Sequence, residues 1–301
     1  MYHLVTIFPP VQRIHRLPFS RDQLMLLMAA INEIFLGLDI YFAHSISGTI
    51  VPDEWIPIVF GPIAGALLLL AGLLALRQRP LATVLASLVF LGSIIVGFMG
   101  MYFHLVRAIL PYAPAGERVS INLLVWAPPV LGPFMFILVG ILGISAAWVE
   151  DPPDSGILVL LGGWHIQLPY SKTQAYFFMI GMGTLATVIS SVFDHARTHF
   201  EDPWLWLPIA SGIFGTVVAV VLGAIETPTR ADLITYTATM ILLIAVGLVG
   251  AVLHVNANLI AQGTIVGERF IRGAPFLAPL LFANMGTLGL IVLLDPRETP
   301  G

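Results

Sequence analysis

Cysteine is absent from the 301 residues, which excludes disulfides, thiolate-ligated iron–sulfur clusters and cysteine nucleophiles. Histidine, carboxylates and methionine remain as metal ligands. Charge is scarce as well: charged residues make up 10% of the chain against 58% apolar, too little polar surface for a water-soluble fold of this size. Lysine occurs once, at Lys172, where a helix is expected to start, which disfavours a retinal Schiff base in a last span. The basic residues are scattered and the formal net charge is -4, so no nucleic-acid surface is expected. A cleavable leader is not evident either, because the first apolar run follows Arg13, Arg16 and Arg21 and is expected to insert and stay.

What the chain has in abundance is long apolar runs. A bilayer core takes roughly 20 apolar residues per helix, and eight runs qualify: 23–46, 56–76, 81–110, 121–148, 173–196, 205–225, 233–260 and 274–294. The expected fold class is an all-α polytopic membrane protein. With the N-terminus in the cytoplasm, that side carries Arg13, Arg16, Arg21, Arg77, Arg79, Lys172, Arg230 and Arg297, against Arg107, Arg118, Arg197, Arg269 and Arg272 opposite. That bias places both termini inside a bacterial or archaeal cytoplasmic membrane.

The chain aligns with itself at an offset of 151. Leu17-Pro18-Phe19-Ser20-Arg21-Asp22-Gln23 pairs with Leu168-Pro169-Tyr170-Ser171-Lys172-Thr173-Gln174, His44 with His195, and Trp55 to Ile58 with Trp206 to Ile209. After a one-residue deletion, Gly97, Gly100 and His104 pair with Gly247, Gly250 and His254, and after a further deletion of three Ala127-Pro128 pairs with Ala274-Pro275. These matches predict two four-helix repeats, 1–150 and 151–301. An even number of spans makes them parallel repeats about a pseudo-twofold axis along the membrane normal. Residues 151–172 are the expected connector, with a short hairpin over Ile157 to Pro169 around Gly162-Gly163 and a matching N-terminal element in Tyr2 to Leu17.

Four histidines are the candidate metal ligands. His44, His104, His195 and His254 lie 22 to 24 residues along their odd-numbered spans and so share one depth near the outer interface. Imidazoles there can ligate iron, copper or zinc, or serve as axial haem ligands. The bland alternative is that each caps a helix or meets lipid headgroups. His199 follows His195 by one helical turn and is expected to share its face. His3, His15 and His165 read as ordinary polar residues of the cytoplasmic side.

Gly97 and Gly100, like Gly247 and Gly250, lie on the face of the following histidine, where they form either a groove for a porphyrin edge or a close helix contact. For haem, Arg107 and Arg197 are the candidates to pair with propionates. Glu33 and Asp39 fall inside the first span, where carboxylates are costly and usually functional. Glu33, Gly37, Tyr41 and His44 read as one face, a proton path from mid-membrane to the outer site, with Glu33, Asp39 and Tyr41 as candidate catalytic groups. The second half has Thr184 and Ser190 in place of the two acids, so the expected function is asymmetric.

The order of histidines along the spans, with Phe193-Asp194-His195-Ala196-Arg197-Thr198-His199-Phe200, resembles the Brp/Blh family of membrane carotene dioxygenases. The resemblance covers only the histidine-bearing segments. It implies non-haem iron held by His44, His104, His195 and His199, with His254 as a further ligand. The family's Gly-Leu-Pro-His-Gly run is Tyr-Phe-Ala-His44-Ser here, and its acidic residue after the second histidine is missing after His104.

Three classes of function follow. The first is a membrane oxidoreductase or electron-transfer subunit whose His-ligated centre, haem b or non-haem iron or copper, acts on quinone or another lipophilic substrate. The second is a non-catalytic scaffold or pigment-binding subunit of a respiratory or photosynthetic complex with partner chains. The third is a proton-coupled transporter.

Overall fold

The computed structural model describes residues 19–46, 48, 50–109, 111–125, 130–196, 199–259, 269–270 and 273–294. His3, His15, the expected N-terminal element, Ala127-Pro128, Arg13, Arg16, Arg197, Arg272 and Arg297 lie outside the described residues. The fold is mostly helical: α1 is Arg21–Ile46, α2 Trp55–Leu74, α3 Arg79–Ala108, α4 Ile121–Val125, α5 Leu131–Ala147, α6 Lys172–Ala196, α7 Trp206–Ala224, α8 Arg230–Leu259 and α9 Leu277–Val292. Among the described residues six helices, α1, α2, α3, α6, α7 and α8, are long and apolar enough to cross a membrane; α5 and α9 are shorter apolar helices. Six such helices are compatible with an integral membrane protein.

Their outward faces fit that solvent. On α3 the exposed positions include Leu88, Leu91, Ile95, Phe98 and Tyr102, while Ala86, Ser87, Ser93 and Gly97 are buried. Large side chains face out and small or polar ones face in, as expected where lipid surrounds the helices and small residues let backbones approach.

The chain divides into two compact units. The first comprises 22–151 and 157–167. Its α3 and α5 are in close contact because glycines stand where side chains would collide: a Cβ on Gly97 would lie 2.6 Å from Ile137 Cγ1, and one on Gly140 would lie 2.6 Å from Ile94 Cγ1. Helices α1 and α2 meet at Gly37, over which Pro62 sits, and at Gly61, whose Cβ would lie 2.5 Å from the Glu33 carbonyl oxygen. Of the run 121–148, expected as one span, the described residues form α4 and α5.

A small antiparallel sheet departs from the all-α expectation. Strands β1 (Val149–Glu150), β2 (Ile157–Val159) and β3 (His165–Gln167) pair in that order, with Leu158 opposite Ile166. The β2–β3 turn holds Gly162 at φ 75° and Gly163 at φ 78°, the left-handed region that glycine enters without a Cβ penalty. The Trp148 indole N–H, just before β1, donates to Ser87 Oγ at 3.0 Å.

The second unit takes the described residues of 168–294 with 152–156 and 19–21. Helix α8 lies on α9 through Gly247, where a Cβ would meet Ala283 N at 2.5 Å and Pro279 O at 2.7 Å, and through Gly250, where it would meet Pro279 Cβ at 2.8 Å. The fully buried Tyr236 of α8 donates its hydroxyl to the Gly289 carbonyl at 3.1 Å and sets its ring edge-on to Phe177 of α6 at 5.0 Å. Lys172 opens α6, buried, its ammonium 5.8 Å from the centre of the Tyr176 ring.

Candidate functional site

In the first unit the buried stripe of α1 runs Leu26, Ala29, Ala30, Glu33, Leu36, Gly37, Ile40 and His44. The stripe of α3 runs Ala82, Ala86, Val89, Ser93, Val96, Gly97 and His104. Both histidines therefore lie on the inward face near the end of a long helix, and their rings meet edge to face, 5.9 Å between centroids and 85° between planes. His44 Nδ1 lies 2.9 Å from the Ile40 carbonyl oxygen. A carbonyl only accepts, so Nδ1 carries the proton and Nε2 of the neutral ring keeps its lone pair, the arrangement that orients metal-binding imidazoles. Nε2 lies 3.5 Å from Glu54 Oε1. The other Glu54 oxygen accepts the Val51 amide at 2.9 Å, which fixes the carboxylate at the turn before α2.

His104 is held differently. An Arg107 amino group lies 3.4 Å from its Nδ1, and the same nitrogen donates to the Leu123 carbonyl at 2.9 Å. A guanidinium only donates, so this contact makes Nδ1 the acceptor. Arg107, expected as a propionate partner, instead ties His104 to α4. Arg197, its expected counterpart, lies outside the described residues.

The second unit holds a matching pair. His195, near the end of α6, and His254 of α8 stand edge to face, 6.2 Å between centroids and 87° between planes, both half-buried. His254 Nδ1 donates to the Pro275 carbonyl at 3.0 Å, so in the neutral ring the lone pair lies on Nε2. One turn on, Asn258 grips the segment before α9 twice, with Nδ2 to Ala274 O at 2.9 Å and Ala274 N to Oδ1 at 3.0 Å. Phe200 borders His195 at 6.4 Å and stacks on Trp206 at 4.7 Å.

Several expectations are corrected. His199 does not share a helical face with His195: α6 ends at Ala196, and His199 and Phe200 adopt φ of 52° and 53°, which turns the chain out of the helix and leaves His199 exposed. The porphyrin groove is filled, since Pro133 and Ile137 occupy the space over Gly97 and Gly100, and Pro279 and Ala283 that over Gly247 and Gly250. Those glycines are helix contacts. The proton-path face is broken as well. At about 100° per residue Tyr41 stands roughly 80° from Glu33, so Ile40 takes the inward position, while Tyr41 is exposed beside Trp55 and Pro62 covers Gly37. Asp39 is exposed rather than buried.

Glu33 is fully buried, and Ser93 Oγ lies 2.5 Å from its Oε1. Two participants are legible only in retrospect. Ser93 stands eleven residues before His104, as Glu33 does before His44, so equal spacing on helices running the same way predicts their meeting. Glu54 lies in the turn that follows His44, and nothing in its local sequence distinguishes it from Asp53.

Among the described residues no group of three or more histidines and carboxylates is arranged to hold a metal ion, so each site is a two-histidine pair. No protein-family model matches the chain, and neither does a curated protein or a solved structure.

Proposed function

We propose that the chain is an integral membrane redox metalloprotein of eight spans in two parallel four-helix repeats, 1–150 and 151–301, each binding a transition metal at its histidine pair. The repeat reading is supported by the starts of four elements: Arg21, Pro52, Trp55 and Arg79 are followed 151 residues later by Lys172, Pro203, Trp206 and Arg230. With both termini cytoplasmic in a bacterial or archaeal membrane, His44–His104 and His195–His254 belong to the outer leaflet, within lateral reach of quinone or another lipophilic substrate.

The observation that carries this reading is the recurrence of an edge-to-face imidazole pair on the first and third long helices of each unit. In each pair one ring has its Nδ1 proton committed to a backbone carbonyl. Two ligands would leave an ion open positions for solvent or substrate, which suits iron or copper chemistry, once His104 Nδ1 exchanges its Arg107 hydrogen bond for the metal. A compact ion fits better than haem b, because the glycines that would have received a porphyrin are filled by neighbouring helices.

Reduced-minus-oxidised spectra of protein purified under native conditions test the reading. Iron or copper without Soret and α bands supports it, haem bands replace the ion with haem, and neither metal nor haem refutes it.

A further inference from the structure

Glu33 sits at the middle of α1, twelve residues from Arg21 and thirteen from Ile46, and is fully buried. Its neighbours supply little to balance a negative charge. Helix α2 has no titratable side chain from Trp55 to Leu74, and α5 has none from Leu131 to Ala147. On α3, Tyr102 is exposed, His104 is eleven residues from Ser93, and Arg79 and Arg107 are each fourteen, about 16 and 21 Å along the helix. On α1 itself Asp39 is exposed, and Asp22, Tyr41 and His44 lie at least eight residues away. One donor reaches the carboxyl, the Ser93 hydroxyl at Oε1, while Oε2 is buried with no hydrogen-bond partner among the described residues. A permanent carboxylate in such surroundings is strongly disfavoured.

We propose that Glu33 and Ser93 form a proton-binding site at the middle of the first unit. Ser93 Oγ also lies 3.1 Å from the Val89 carbonyl, one turn back on α3, so its single hydrogen has two acceptors to choose from. In the loaded state the Glu33 carboxylic O–H donates to Ser93 Oγ, and the Ser93 hydroxyl donates to Val89 O. On release one proton leaves Glu33, and the Ser93 hydroxyl turns from Val89 O to Glu33 Oε1, giving the new carboxylate its donor. No other bond changes. The second unit has Thr184 in place of Glu33, its hydroxyl donating to the Ile180 carbonyl at 2.7 Å, so the exchange belongs to the first unit alone. The site is independent of metal at the histidine pairs and survives failure of that reading.

Infrared difference spectra between acidic and alkaline buffer, on the full chain in lipid vesicles, test this. The expected result is a protonated-carboxyl carbonyl band that fades as pH rises and is missing in Glu33→Gln. Ser93→Ala removes the donor that favours the charged form, so its band shifts in frequency and its titration moves up by about one pH unit. Should Glu33→Gln fail to fold, the Ser93→Ala displacement still decides. A pH-invariant band, no band, a band retained in Glu33→Gln, a titration unmoved in Ser93→Ala, or loss of the band on adding sodium at fixed pH would each overturn the proposal.

Discussion

His44 turns its ring edge-on to that of His104, and its Nδ1 proton is already spent on the carbonyl of Ile40. The nitrogen left for chemistry is Nε2, beside Glu54. Arg107 works against a cation here, since its guanidinium holds His104 Nδ1 as an acceptor. Arg107→Gln removes that donor and a positive charge, and is expected to tighten metal binding at this pair roughly tenfold. A competitive titration against a coloured chelator reads the change, with the His195–His254 affinity as the internal reference.

His199 is exposed and strained at φ 52°. Glycine relieves that backbone conformation, so His199→Gly is expected to leave metal content unchanged and to raise stability by about 0.5 to 1 kcal/mol. Metal analysis and thermal unfolding in detergent check both halves. A fall in metal content would return His199 to the ligand set.

Gly97 and Gly247 lie at close helix contacts seven residues before His104 and His254. Replacing either by leucine drives a side chain into Pro133–Ile137 or Pro279–Ala283, and a loss of about 2 kcal/mol or more is expected. Gly72 in α2 has open space around it, so Gly72→Ala is the control, neutral or stabilising. Melting temperatures compared across the three variants in one detergent provide the test.

Tyr236→Phe removes a single buried hydrogen bond, to Gly289 O, without changing the ring that rests on Phe177. The expected cost is about 1 kcal/mol. A cost near zero would mean that the Gly289 carbonyl is satisfied elsewhere.

The long helices are legible in the sequence because lipid-facing residues make the apolar runs nearly continuous, and the hairpin turn is legible in Gly162-Gly163. The run 121–148 reads as one span because a hydropathy window averages over Pro128-Pro129, neither of which can donate in a helix interior. The histidine pairs follow from equal depth on helices of one direction. What depth leaves out is rotation: Tyr41 shares a helix and nearly a level with His44 yet points outward, and an apolar span gives little contrast to show which face is buried. His199 illustrates the other limit, because a spacing of four means a shared face only while the helix lasts.

Metal stoichiometry in pair-specific variants decides whether each histidine pair holds an ion. For protein purified without chelator, about two iron or copper ions per chain are expected, with one lost in His44→Ala/His104→Ala and the other in His195→Ala/His254→Ala. A chain that carries only trace metal, or one whose metal content is indifferent to both double substitutions, would mean that the histidine pairs hold no ion.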